Sequence, residues 1–220
     1  MNRSEASMTS ALKDLITGLT EIKSSGQSLS FSAFHLFYAL ELMSSKTVGR
    51  GPLAEQLNVG EGAARTILSR LGEAGLITAS KSGCALSVEG LNVWRELEKV
   101  FPRRVEFLRT ELTPSEFNYA FLVNGGGGKV GSGIEQRDVA VAAGASNALI
   151  IVFRSGRLHI KSVSDNVEEV FPKAARPILR DIKPQDDDVI VIVGGNTALK
   201  AMRGAFAASW SLLSSEADEH

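Results

Sequence analysis

The chain has 220 residues, 44% hydrophobic, 22% charged and 6% aromatic, a composition that excludes disorder, collagen and a coiled-coil rod and leaves room for one large domain or two small ones. The single cysteine, Cys84, excludes a disulfide framework and a cysteine-rich zinc module. With 24 basic and 25 acidic residues the net charge is −1, which argues against nucleic-acid binding over the whole surface and leaves a local patch open. No apolar run is long enough to span a bilayer and the N-terminus is polar, so a cytoplasmic protein with no membrane partner is expected.

Residues 1–30 hold one helical pattern. Leu12, Leu15, Leu19 and Ile22 form a two-heptad apolar seam, too short for a coiled coil on its own. The seam therefore predicts either a helix packed on its own chain or a dimer contact. The polar tract Ser24 to Ser28 follows and reads as a flexible connection.

Residues 31–110 read as three helices, a hairpin and a closing helix. Phe31, Phe34, His35, Tyr38 and Leu42 recur at helical spacing, and Pro52 suits the first turn of a second helix. A third helix is expected from Glu61 to Ala74, with Gly75 just past its end. Strands at 76–79 and 84–86 are then joined by the polar turn Ser80 to Gly83, and Ser87 caps a last helix that stops near Phe101, before Pro102.

The stretch Leu53 to Leu71 fits a helix-turn-helix. Two helices crossing steeply over a short turn need a small residue at the crossing, which Ala54 supplies, and Val59 plugs the turn. Leu53, Leu57, Ala64, Ile67, Leu68 and Leu71 complete one core. The hairpin that follows makes this the winged variant, similar to the winged-helix domains of prokaryotic transcriptional regulators. With Ala64, Ile67, Leu68 and Leu71 inward, the 100° step places Gly62, Thr66, Ser69 and Glu73 on the opposite face, flanked by Arg65 and Arg70. Gly62 lets the helix approach a groove, Thr66 and Ser69 bond base edges or phosphates, and Arg65 offers a bidentate fork to guanine. Arg50, Arg70 and Lys81 are the expected phosphate contacts. The region 46–83 has five basic and three acidic residues. That excess is small, so a homodimer on double-stranded DNA is expected.

From residue 111 onward strands and helices alternate. Strands at 117–123, 147–153, 157–163 and 188–193 and helices at 133–143, 168–182 and 197–213 give the order β-α-β-β-α-β before the last helix. The expected fold class is therefore α+β: a winged helix-turn-helix followed by a two-layer α/β sandwich of ferredoxin-like order or a relative of it. Asp186 to Asp188 read as a solvated loop, and Val139 to Ala143 as a helix apolar on every side and so buried on several faces.

The loop Asn124 to Gly133 is rich in glycine and enters a helix, which can present backbone N–H groups to an anion. A formal G-x-G-x-x-G is present, but the next strand ends without an acidic residue. Val130 after Lys129 also breaks the P-loop pattern, so neither dinucleotide binding nor ATP hydrolysis is expected. Gly131, Gly133, Glu135, Gln136, Arg137 and Asp138 are the candidate ligand-binding residues, weighed against a network in which these groups satisfy one another. The block Gly131, Gly133, Ile134, Glu135, Gln136, Arg137, Asp138 with the later Ala143, Gly144 and Ala145 resembles a family of archaeal two-domain transcriptional regulators. That resemblance covers both domains and implies architecture, not a site. The glycine turn at Gly194 and Gly195, capped by Asn196 or Thr197, reads as structural.

Histidines 35, 159 and 220 are isolated from one another and Cys84 lies on the hairpin, so no catalytic residue, metal site or cofactor is expected. The sequence thus points to a one-component, DNA-binding transcriptional regulator whose C-terminal domain senses a small-molecule effector, dimerises, or both. A winged-helix protein-interaction adaptor, and a nucleotide- or anion-binding enzyme using loop 125–133, are the alternatives.

Overall fold

The structure is a computed structural model that describes residues 3–21, 30–161 and 163–213. Ile22, the tract Ser24 to Ser28 and His220 lie outside the described residues. The chain divides into two compact units, one reaching Leu97 and the other starting at Glu98. No helix among the described residues is long and apolar enough to cross a membrane.

The N-terminal unit begins with α1 (Arg3–Gly18). Its buried stripe is Thr9, Leu12 and Ile16, while Leu15 is 37% exposed. The helix therefore packs one narrow face on its own unit, and the expected heptad seam through Leu15 is not the face it buries. The second helix, α2 (Ala33–Ser45), is buried almost all round through Phe34, Leu36, Phe37, Ala39, Leu40 and Met43, as expected of a central helix. At its start the Ser32 N–H donates to His35 Nδ1 at 2.9 Å, which gives that buried imidazole a capping role.

Helices α3 (Arg50–Leu57) and α4 (Glu61–Glu73) are joined by a short turn. Asn58 takes the left-handed conformation, with φ at 52°, and the Val59 N–H donates to Ala54 O at 3.0 Å. Leu53, Leu57, Ala64, Ile67 and Leu71 are each fully buried. Strands β1 (Ile77–Ser80) and β2 (Gly83–Leu86) then pair antiparallel, with Ser80 opposite Gly83. The turn is thus two residues long, Lys81 and Ser82, tighter than the four-residue turn read from sequence. The Ser80 hydroxyl closes it by donating to Gly83 O. Val48 adds a single bridge to Cys84, exchanging two backbone hydrogen bonds of 2.8 and 2.9 Å.

Helix α5 (Val88–Val100) is capped by Ser87, whose Oγ accepts the Gly90 N–H at 3.0 Å and donates to Gly75 O at 2.6 Å. Gly90 lies against the backbone of Leu76. A methyl there would sit 1.9 Å from Leu76 O, so no larger residue fits without moving the hairpin base.

The C-terminal unit is built on a five-stranded antiparallel sheet. Its strands are β3 (Arg103–Phe107), β4 (Phe117–Val123), β5 (Asn147–Arg154), β6 (Arg157–His159) and β7 (Val189–Gly195), in the spatial order β3-β4-β7-β5-β6. The sequence reading left residues 103–107 in the N-terminal segment without a strand, whereas they form an edge strand of this sheet. Setting β3 aside, the chain order is the expected one, with helices α6 (Ile134–Ala142), α7 (Val167–Val170), α8 (Pro172–Pro177) and α9 (Ala198–Ser211) between and after the strands.

The spatial order is that of a relative of the ferredoxin-like fold. The last strand, β7, lies between β4 and β5, where a ferredoxin-like sheet has its first and third strands innermost. The cause is composition: β7 is buried at all seven positions and so requires a strand on each side and cover on both faces. On one face, α6 and α9 pack over Phe121, Val191 and Val193. On the other, Ala120, Leu122, Ile151, Ile190 and Ile192 join Val167, Ala175, Ile178 and Ile182 in one core. The single helix expected at 168–182 is broken there into α7, α8 and one π turn (Ile178–Ile182), with Pro172 opening α8 and Pro177 inside it.

Two sequence expectations are corrected here. Helix α6 is not buried on several faces: Gln136 and Ala140 are inside, whereas Ile134 is 54% and Val141 47% exposed. The side with Ala140 is the buried one, because α9 approaches closely through Gly204, where a methyl would sit 3.4 Å from Ala140 O and 2.8 Å from Ala145 Cβ, just past the helix.

Nor is the stretch Asp186 to Asp188 wholly solvated: Asp186 is exposed and Asp187 half-buried, but Asp188 is buried. Asp188 is 3% exposed, and its carboxylate accepts the N–H groups of Gly125 at 3.0 Å and Gln185 at 2.8 Å. Asp187 O accepts the Gly127 N–H at 2.8 Å, its carboxylate pairs with Arg154 at 3.1 Å, and Asp186 takes the Ser155 N–H. Asp188 and Asp187 hold the glycine loop, and Asp187 and Asp186 hold the β5–β6 turn.

Two stability predictions follow from these contacts. Gly90→Ala should cost about 3 kcal/mol in urea unfolding, because the backbone itself must shift. Asp188→Asn should cost about 1–3 kcal/mol, since one of the two loop amides loses its acceptor inside the protein.

Candidate nucleic-acid interface

The outward side of α4 is set by its inward side. With Ala64, Ile67 and Leu71 fully buried, the opposite stripe runs through Gly62, Thr66, Ser69 and Glu73, as the 100° rotation requires. Gly62 is exposed and a methyl at its Cβ position would meet nothing within 4 Å. Thr66 Oγ1 donates back to Gly62 O at 3.0 Å, and Ser69 Oγ donates to Glu73 Oε1 at 2.9 Å. Both hydroxyl protons are thereby used within the helix and their lone pairs face outward.

Arg65 is exposed on this stripe's edge, and Lys81 is exposed at the hairpin turn. Neither enters an ion pair among the described residues. Arg50, the first residue of α3, lies 3.6 Å from Glu61 Oε2 across the turn, with both side chains about half exposed or more. That pair is weak because solvent screens it, yet it reduces the local positive potential beside the α3 N-terminus. Lys46 and Thr47 are also exposed just before α3. Their signal in the sequence is only their position next to a helix N-terminus.

Arg70 is placed differently from the others. Its Nη1 donates to Leu19 O and Glu21 O, the latter at 2.8 Å, and its guanidinium carbon lies 5.6 Å from the centre of the Phe31 ring. It binds carbonyls in the turn that follows α1 and stacks on a buried aromatic. Such a role could not be read from helical phase alone, because the partner carbonyls lie some fifty positions earlier in the chain.

In the C-terminal unit, loop 124–133 contains one 3₁₀ turn (Gly127–Lys129) and enters α6 through Gly133, whose φ is 81°. Two of its amides, from Gly125 and Gly127, are occupied by Asp188 and Asp187. At Gly127 a methyl would fall 2.6 Å from Asp187 Oδ1 and 2.9 Å from Val152 Cγ1, so the glycine is what permits this closure. Gly131, Glu135, Arg137 and Asp138 are exposed, Gly133 and Gln136 are buried, and Arg137 pairs with Asp138 at 3.3 Å. The Ser132 hydroxyl oxygen accepts the Ile134 N–H at 3.3 Å, near the start of α6.

No curated protein gives a significant match to the chain. Residues 34–101 match the family model of the CggR N-terminal DNA binding domain, and residues 114–212 match a domain of unknown function, DUF4443. Among solved structures, the chain is similar in fold to the hypothetical protein PH0730 from Pyrococcus horikoshii OT3, with a TM-score of 0.69 at 22% identity, over 83% of this chain and 93% of that one. The N-terminal unit is therefore similar to a DNA-binding domain of the CggR kind, and the C-terminal unit to the DUF4443 domain.

Proposed function

We propose that the protein is a one-component transcriptional regulator that binds double-stranded DNA as a homodimer through a winged helix-turn-helix, with α4 as the reading helix and the β1–β2 hairpin as the wing. The observation that carries this reading is the match of residues 34–101 to a DNA-binding domain whose α4 exposes a stripe without bulk, edged by the unpaired Arg65. The C-terminal domain is assigned effector sensing, dimerisation or both. No catalytic activity is proposed, and a cytoplasmic location follows from the role.

Dimerisation is supported by a groove of about 400 Å³ along α1 and α5, lined in part by Met8, Leu12, Leu15 and Val93. Met8, 52% exposed, and Leu15, 37% exposed, form the apolar rim of that groove. The adaptor reading survives on the small basic excess of the region 46–83. A salt titration separates the two, because phosphate contacts make log affinity fall linearly with log salt.

Mobility shift against genomic fragments tests the main reading. Arg65→Ala should weaken specific binding by about 1–3 kcal/mol, and Lys81→Ala should weaken all sequences alike and lower the salt slope by about one. Unchanged binding in both variants would remove α4 and the wing as the contact surface.

Gly62→Ala gives a sharper contrast. It should stabilise the helix by about 0.5–1 kcal/mol in thermal unfolding while reducing DNA affinity, since the added methyl is harmless to the fold and projects at the groove. Arg70→Ala should do the reverse, lowering stability by about 1–2 kcal/mol through loss of its two carbonyl contacts and leaving the affinity of the folded protein unchanged.

A further inference from the structure

The C-terminal unit contains a cavity of about 580 Å³ between the segment leaving β3 and the helical segment α8 with its π turn. Arg109, Lys173, Arg176 and Arg180 line it, together with one carboxylate, Glu111. That carboxylate is already engaged: its Oε1 accepts the N–H groups of Lys173 at 3.1 Å and Ala174 at 3.2 Å. Arg180 is engaged as well, by Asp181, through two hydrogen bonds of 2.7 and 2.8 Å. The bond holds the Asp181 carboxyl below its ordinary range and the Arg180 guanidinium above its own. Arg109, Lys173 and Arg176 enter no ion pair among the described residues. Four cations against Glu111 and the Asp181 bound to Arg180 leave a net excess of two positive charges around one concavity, in a half of the chain where acidic residues outnumber basic ones.

The scaffold beneath them is fixed. Thr113 Oγ1 donates to Leu108 O at 2.8 Å and accepts the Thr110 N–H at 2.9 Å, which closes the loop carrying Arg109. Ala175, Ile178 and Ile182 anchor the opposite wall in the core. Such a wall holds like charges together at a cost that an anion would offset. The remaining lining is Thr110 and an apolar part made of Leu108, 61% exposed, with Pro172 and Pro177. A volume of this size matches small-molecule sites, about 300–1,000 Å³, and not a point site for a single halide.

We infer that this cavity binds a small organic anion with at least two negative charges, carried by phosphate or carboxylate groups on a compact body that covers Leu108. Arginine forks suit both groups, and the lysine adds a point charge. The inference deepens the proposed function by giving the C-terminal domain an effector class. It rests on that reading only for the regulatory consequence, because binding itself is measured without DNA.

Calorimetric titration of the full chain with pyrophosphate and with citrate, at constant ionic strength, tests it. Saturable binding of either is expected, at least tenfold tighter than that of the monoanion acetate, and the tighter of the two names the anion group. Arg109→Gln and Arg176→Gln should each weaken it at least tenfold. Arg176→Lys should restore part of the loss, and Arg157→Gln, an exposed cation elsewhere in the domain, should change nothing. Thermal unfolding of the unliganded variants shows that each is folded.

No saturable binding of either anion overturns the inference, as does an equal loss in Arg157→Gln. Binding of duplex DNA alone, weakened by Arg109→Gln and Arg176→Gln, overturns it in favour of a nucleic-acid contact. Anion binding in a protein that shifts no DNA fragment would leave the site standing and remove the regulator.

Discussion

The peptide unit of Leu76 is gripped from several sides, and the geometry of the N-terminal domain depends on that grip. Its N–H donates to Leu71 O in the last turn of α4 at 2.9 Å, its carbonyl accepts the Ser87 N–H at 3.0 Å, and Gly90 of α5 lies directly over it. The end of α4, the base of the hairpin and the start of α5 are thereby one rigid joint. The bridge from Val48 to Cys84 fixes the other end of the hairpin to the segment before α3. The hairpin, though only two strands of four residues each, cannot swing independently of α4. A small hairpin needs such outside support, since two isolated strands are marginal in water.

The C-terminal domain solves the same problem with side-chain charge instead of backbone proximity. Here the loops at one end of the sheet are drawn together by Asp186, Asp187 and Asp188, whose acceptors meet backbone N–H groups and one arginine. A buried carboxylate is tolerable only when its lone pairs are used, and Asp188 uses both oxygens. The glycine loop is therefore in large part a structural closure, with Gly127 thin enough to pass between Asp187 and Val152.

What the sequence made legible was whatever depends on local periodicity. The helix-turn-helix core at Leu53, Leu57, Ala64, Ile67 and Leu71, the helix stop before Gly75, the Ser87 cap and the chain order of the C-terminal domain all carry short-range signatures, and the outward stripe of α4 followed from phase. Long-range contacts were not legible. Arg103–Phe107 carries three charges in five residues, as an edge strand can, and without its partner β4 it resembles loop. Helix α6 looks buried because it contains valines, but its alanine face is the one that meets Gly204. Three consecutive aspartates look solvated until the loops they bind are brought beside them. Arg70 looked like a phosphate contact because its partners, the carbonyls in the turn after α1 and Phe31, are distant in sequence.

The hydroxyl arrangement on α4 carries a consequence for which bases that helix could distinguish. Thr66 and Ser69 each give their proton to their own helix, so what they turn outward is electron pairs. In the major groove such acceptors pair with amino groups, the N4 of cytosine and the N6 of adenine, and are repelled by the O6 and N7 edge of guanine. Arg65, as the proposed guanine contact, would supply the opposite preference. A duplex lying along this stripe would thus meet a reader in which guanine is sought at the arginine and avoided at the hydroxyls, a contrast written by two intrahelical hydrogen bonds and not by the residue types alone.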